Sequence, residues 1–107
     1  MTEGTFQRVA KVDEIPVGES RSFEVGYERI AVCNVEGKFY AIEDVCTHDG
    51  SPFQTRRLLG SVIECPRHGA RFDVTTGEVR RMPAIAPVRT FPTKVEDGEV
   101  YVAVEEE

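Results

Sequence analysis

The sequence predicts an all-β fold, a sandwich or small barrel of antiparallel sheets. Three observations carry that expectation. Helical periodicity is weak along all 107 residues. Short runs rich in β-branched and aromatic residues recur instead. Gly, Pro and Asp punctuate those runs at short intervals, as turns between strands do.

The runs that read as strands cover residues 5–10, 20–25, 29–35, 39–43, 61–64, 71–73, 88–96 and 99–104. Glu36-Gly37-Lys38 and Glu96-Asp97-Gly98 read as hairpin turns, where glycine supplies a positive φ without steric cost. Val95 and Val100 are expected to face each other across the second turn. Residues 12–16 suit a single helical turn capped by Asp13. Residues 44–70 differ in kind: they hold two cysteines, both histidines and several Gly and Pro, and read as loops mounted on a sheet. The tail Glu105-Glu106-Glu107 reads as frayed and solvated.

Size and charge narrow the function classes. A chain of 107 residues fits one domain, taken here as 1–107. Apolar residues make up 40% and charged residues 30%, a globular balance rather than a disordered one. The formal net charge of −6 disfavours nucleic acid and anionic membrane surfaces as partners, because both repel it. No apolar run approaches the roughly 20 residues of a membrane span, and the N-terminus lacks a secretory pattern, so a cytoplasmic location is expected. Three cysteines without a close-spaced pair do not suggest a disulfide framework, and in a reducing compartment cysteines more often ligate metal.

Two boxes carry the chemistry. Cys46-Thr47-His48-Asp49-Gly50 is followed, after sixteen residues between His48 and Cys65, by Cys65-Pro66-Arg67-His68-Gly69. Both histidines of the protein and two of its three cysteines lie in these boxes. A lone Cys is usually a small buried hydrophobe, but a repeated Cys/His pair is a ligand pattern. Two cysteines and two histidines make a known zinc set. Zinc sites, however, usually pair Cys with Cys and His with His. One Cys and one His from each loop suits a two-iron cluster, in which one iron takes both thiolates and the other both imidazoles.

The boxes C-T-H-D-G-S-P and C-P-R-H-G-A-R-F-D resemble the cluster loops of Rieske iron–sulfur proteins. The resemblance extends to residues 13–19, to the proline-bearing stretch 83–88 and to the closing hairpin 95–102. Among that family the chain is most similar to the soluble ferredoxins of multicomponent aromatic-ring dioxygenases. The resemblance implies an all-β Rieske fold, with a small loop-built cluster-binding subdomain at about residues 44–70. It implies one 2Fe–2S cluster, with Cys46 and Cys65 on the inner iron and His48 and His68 on the outer. It further implies a monomeric electron carrier, not an enzyme, passing single electrons from a flavin-dependent ferredoxin reductase to a terminal oxygenase.

Charge explains why such ligands suit the task. Two ferric ions, two sulfides and two thiolates sum to zero, so one electron takes the site only to −1. An all-thiolate site would go from −2 to −3. His ligation therefore raises the potential, to roughly −150 to +300 mV across the family. Rieske subunits of cytochrome bc complexes carry a disulfide between their two loops; Ser51 and Arg67 occupy the matching positions here. Those proteins also bond a Ser and a Tyr hydroxyl to cluster sulfur, where this chain has Ala70 and Phe72. Each such bond, at about 1.4 kcal/mol, is equivalent to about 60 mV for one electron. Their absence implies a low potential within the range.

A catalytic oxygenase needs a second, mononuclear iron on further His and carboxylate ligands. The chain has no third histidine for it. The small subunit of a nitrite reductase, and a redox sensor or accessory protein, remain as alternatives within the same fold. Cys33, in the run Ile30-Ala31-Val32-Cys33, reads as a buried spare thiol. Phe53 is either an aromatic cover beside the cluster or ordinary loop packing. Residues 49–81 hold six arginines and four acids, so Arg56, Arg57, Arg67, Arg71, Arg80 and Arg81 are candidates for a basic ring that steers docking.

Overall fold

The structure is a computed structural model that describes residues 5–46, 52–53, 57–66, 69–82 and 86–104. Over these residues the chain is built from strands: β1 (Thr5–Lys11), β2 (Ser20–Val25), β3 (Glu28–Val35), β4 (Lys38–Glu43), β5 (Val62–Glu64), β6 (Arg71–Asp73), β7 (Val79–Arg81), β8 (Thr90–Phe91), β9 (Thr93–Glu96) and β10 (Glu99–Val104). They form three antiparallel sheets, ordered β1-β10-β9, β2-β3-β4-β8 and β5-β6-β7. The all-β expectation holds. The tail at 105–107 lies outside the described residues.

The two hairpins form where glycine permits them. Glu36 and Gly37 have φ of 52° and 91°, and Asp97 and Gly98 have 52° and 75°. Two consecutive positive φ values give the tight turn whose twist matches the flanking strands. The loops are therefore two residues long, with Val35 opposite Lys38 and Glu96 opposite Glu99. Val95 and Val100 pair as expected.

Three expectations are corrected. The expected strand 88–96 is divided into β8 and β9 by Pro92, which has no N–H for a ladder. The chain changes sheets there, and the Pro92 carbonyl accepts the Ala103 N–H at 2.9 Å. β7 has no counterpart among the expected strands, because the three residues Val79-Arg80-Arg81 carry no apolar alternation. The helical turn is a 3₁₀ turn over Val12–Glu14, and its cap is not Asp13: the Glu14 carboxylate reaches back to the Lys11 N–H at 2.7 Å.

The β2-β3-β4-β8 sheet is the middle layer, and strand alternation sends its side chains to two separate cores. Ile30, Val32 and Ala41 join Ala10, Ile15, Val25, Val100, Val102 and Val104 in an aliphatic core against the β1-β10-β9 sheet. Ala31, Cys33 and Ile42 point the other way. They pack with Cys46, Phe53, Leu58, Ile63, Cys65, Ala70, Phe72, Val74 and Val88. That second core lies under the β5-β6-β7 sheet and the loops leading to it. Gly18 ties the two parts together: its N–H donates to the Asn34 carbonyl, and its carbonyl accepts from the Leu58 N–H, each at 2.8 Å.

Candidate metal centre

Cys46 lies three residues beyond the end of β4 and two beyond Asp44, and it is fully buried. Cys65 begins the loop between β5 and β6 and is 1% exposed. Neither is in a disulfide, and both belong to the second core. The remaining expected ligands, His48 and His68, lie outside the described residues, as does Arg67. The fold thus brings the two thiols into one enclosed apolar environment, on elements far apart in sequence.

The Cys65 loop is held by its own backbone. Glu64 and Arg71 face each other at the end of the β5-β6 ladder. The Cys65 N–H donates to the Ala70 carbonyl at 2.7 Å, and the Cys65 carbonyl accepts the Gly69 N–H at 3.1 Å. Gly69 sits at φ 77°, a conformation few other residues adopt without strain. Both backbone polar groups of Cys65 are thereby satisfied inside the loop, which frees its side chain to face the core.

Phe53 and Phe72 wall this region. Both are fully buried, with ring centroids 5.5 Å apart and planes at 80°, an edge-to-face contact. Phe53 is therefore core packing within the group that holds both thiols. Ala70 is also fully buried there. Neither Ala70 nor Phe72 offers a hydroxyl, so at these two positions the enclosure is apolar.

A third segment closes on the same unit. The Val88 N–H donates to the Gly77 carbonyl at 2.9 Å. Gly77 is at φ 83°, and a Cβ there would stand 2.3 Å from the Val88 carbonyl oxygen. Only glycine lets the two backbones approach this closely. Residues 83–85 of the proline-bearing stretch lie outside the described residues.

Cys33 belongs to the same core, fully buried, and burial pushes its thiol up to about 12, with the Asp44 charge adding to the effect. It is inert as a nucleophile at neutral pH. The basic ring is thinner than the arginine count implied. Arg71 pairs with Glu64 at 2.9 Å and Arg80 with Asp73 at 2.9 Å. Arg80 is committed to structure, because Asp73 also accepts from the Thr75 N–H and hydroxyl and so fixes the turn between β6 and β7. Arg57 and Arg81 are exposed, while Arg56 lies outside the described residues.

Sequence reading missed Asp44, whose buried carboxylate spans the first box. Its signal was present as an acid just before the Cys46 box, but nothing in the sequence distinguished it from a surface acid.

These features agree with what the chain is similar to. The Rieske [2Fe-2S] domain model matches residues 5–92. The ferredoxin component of biphenyl 2,3-dioxygenase from Rhodococcus jostii is 39% identical over 98 residues, covering 92% of each chain. The ferredoxin of carbazole 1,9a-dioxygenase from Nocardioides aromaticivorans superposes with a TM-score of 0.86 at 33% identity, over 92% of this chain and 97% of that one. A chain in the complex of reduced oxygenase and oxidized ferredoxin of carbazole 1,9a-dioxygenase superposes at 0.87 with 39% identity, over 95% of each chain.

Proposed function

Since the chain belongs to the Rieske [2Fe-2S] domain family, we propose that it is a one-electron carrier. It binds one 2Fe–2S cluster through the Cys46 and Cys65 thiolates and the His48 and His68 imidazoles. The observation that supports this most directly is the burial of two thiols, free of disulfides and set in one apolar core, at the head of the two Cys/His boxes. Thiolates fit this place because a coordinated sulfur has no need of water. An apolar wall is tolerable because the oxidised site is neutral overall, so little charge is desolvated.

When bound, the cluster supplies a centre that takes up and returns one electron. The chain's own residues set its environment. Cys65 is held by its backbone bonds, and Phe53, Phe72 and Ala70 exclude water from the thiol side. Each imidazole would bind iron through one nitrogen and keep a proton on the other, available for a hydrogen bond to a partner. With no hydroxyl at positions 70 and 72, the reduced state lacks two bonds that would favour it, and the potential lies low in the family range.

The partners follow from the relatives. One solved complex joins a ferredoxin of this similarity to its oxygenase. We place this chain between a flavin-dependent ferredoxin reductase and the terminal oxygenase of an aromatic-ring dioxygenase system, as a carrier rather than a catalyst. It acts as a monomer in the cytoplasm. Among the described residues no helix is long and apolar enough to cross a membrane. Residues 1–107 are read as a single domain, with the cluster-binding part centred on 44–70.

The test is direct. Purified protein should hold two irons and two acid-labile sulfides per chain, and dithionite should produce the paramagnetic signal of a reduced Rieske centre. Stoichiometric zinc without sulfide would overturn the assignment.

A further inference from the structure

Asp44 is buried without exposed side-chain area, yet it carries a carboxylate. Enclosing such a group costs several kcal/mol unless hydrogen bonds and an opposite charge replace its water. Here they do. One oxygen, Oδ1, accepts the Phe53 N–H at 2.8 Å. The other, Oδ2, accepts the Ser22 hydroxyl at 2.9 Å and lies 3.5 Å from the Arg29 Nε. The Asp44 N–H in turn donates to the Arg29 carbonyl at 2.8 Å.

The placement of these bonds matters more than their number. Ser22 and Arg29 lie on β2 and β3, in the rigid middle layer. Phe53 lies on the far side of the first box, and the residues between Asp44 and Phe53 include Cys46 and His48. One carboxylate therefore fastens both ends of the ligand-bearing loop to the middle sheet. A backbone N–H is a donor fixed in direction, so the bond at Phe53 sets where the chain re-enters the core. The Phe53 ring then meets Phe72, in the middle of β6, the strand that follows the second box. The inter-loop disulfide of the high-potential proteins has no counterpart at Ser51 and Arg67.

We propose that Asp44 is a positioning residue for the cluster: its carboxylate fastens the chain on both sides of the first Cys/His box and holds Cys46 in register with Cys65. The proposal rests on the carrier reading above and adds to it a group outside the ligand set. Asp44 is two residues from Cys46 and shares its enclosed region, so its negative charge also opposes the extra electron of the reduced state.

The test uses the full-length cluster-bound protein and three variants: Asp44→Ala, Asp44→Asn and Ser22→Ala. Asp44→Ala should release iron to a chelator, and exchange the Phe53 amide hydrogen, about tenfold faster or more, as expected when a bond to a charged acceptor is lost. Asp44→Asn keeps a carbonyl for the Phe53 N–H and should fold. Its reduction potential should rise and its reduced-state paramagnetic spectrum should shift. Ser22→Ala leaves the Phe53 bond in place and should resemble wild type in exchange and spectrum. If the Asp44 variants lose thermal stability while potential and spectrum stay at wild-type values, Asp44 is only a tie between strands and the proposal fails. Should Asp44→Ala not fold, the Asp44→Asn potential and spectrum decide alone. Absence of iron and sulfide from the wild type would instead overturn the carrier reading, a result separate from any effect of the variants.

Discussion

The two cores on either side of the middle sheet are held together by different means. The core facing β1-β10-β9 is drawn mostly from strands, and its fully enclosed members are Ile15, Ile30, Val32, Val100 and Val102. Strand alternation and ladder pairing place all of these but Ile15, which follows the 3₁₀ turn. The core facing β5-β6-β7 includes all three cysteines and takes several members from loops. Its positions rest on individual polar devices: the Asp44 carboxylate at Phe53, the paired backbone bonds at Cys65, and the close approach of Gly77 to Val88. The first core makes the scaffold stable. The second uses that stability to keep loop residues where an isolated loop would not hold them.

The largest contrast lies among the cysteines, which share the second core yet should behave in opposite ways. Cys46→Ser or Cys65→Ser should abolish iron and sulfide binding. Cys33→Ser should keep both at wild-type level, losing about 1–3 kcal/mol of stability for a buried hydroxyl. Iron analysis with thermal melts checks this, and loss of iron from the Cys33 variant would redraw the ligand set.

Truncation of one residue in each core sharpens the division. Phe72→Ala should cost about 3–5 kcal/mol and Ile30→Ala about 2–5 kcal/mol. Only Phe72→Ala should also accelerate iron release, because Phe72 packs among the thiols while Ile30 points to the other side of the sheet. Equal acceleration in both, measured at matched stability, would show that the cores act as one.

A smaller effect is expected at Ala70. Ala70→Ser should raise the reduction potential by about 60 mV if its hydroxyl bonds to cluster sulfur with about 1.4 kcal/mol. Phe72→Tyr should act in the same direction, and additively if the bonds go to different sulfurs. Unchanged potentials, with both hydroxyls seen on sulfur, would remove the explanation of the low potential.

The smallest effect concerns the β6-β7 turn. Burial acts against the charge of Asp73, but hydrogen bonds from Thr75 and Arg80 outweigh it and hold the carboxyl below its usual range. A lowered folded pKa contributes stability above the ordinary carboxylate pKa of about 3.9, and that stability is lost as pH falls through the folded value. Arg80 is half exposed, so the gain is at most about 1 kcal/mol. The melting-temperature gap between wild type and Asp73→Asn should therefore be widest near neutral pH and close below about pH 4. A gap that persists at pH 2 would locate the effect in shape rather than charge.

The sequence by itself determined the scaffold and the family. Short runs rich in β-branched and aromatic residues mark β2, β3, β4 and β10, and Glu36-Gly37 and Asp97-Gly98 set the β3-β4 and β9-β10 hairpins, since these signals act between neighbours in the chain. The Cys/His boxes were legible for the same reason: ligand spacing within a box is local. Short β7 and the break at Pro92 were harder to read, because β7 exists only through its pairing with β6 and the break only through the change of sheet. What tertiary structure alone decided is the company each residue keeps. Cys33 and Cys46 enter the same core from different elements, Arg80 is taken up by Asp73, and Asp44 is enclosed across from Phe53. A carboxylate looks alike in the sequence whether it faces water or a buried N–H. Its role is fixed only when distant strands remove the water and supply the donors.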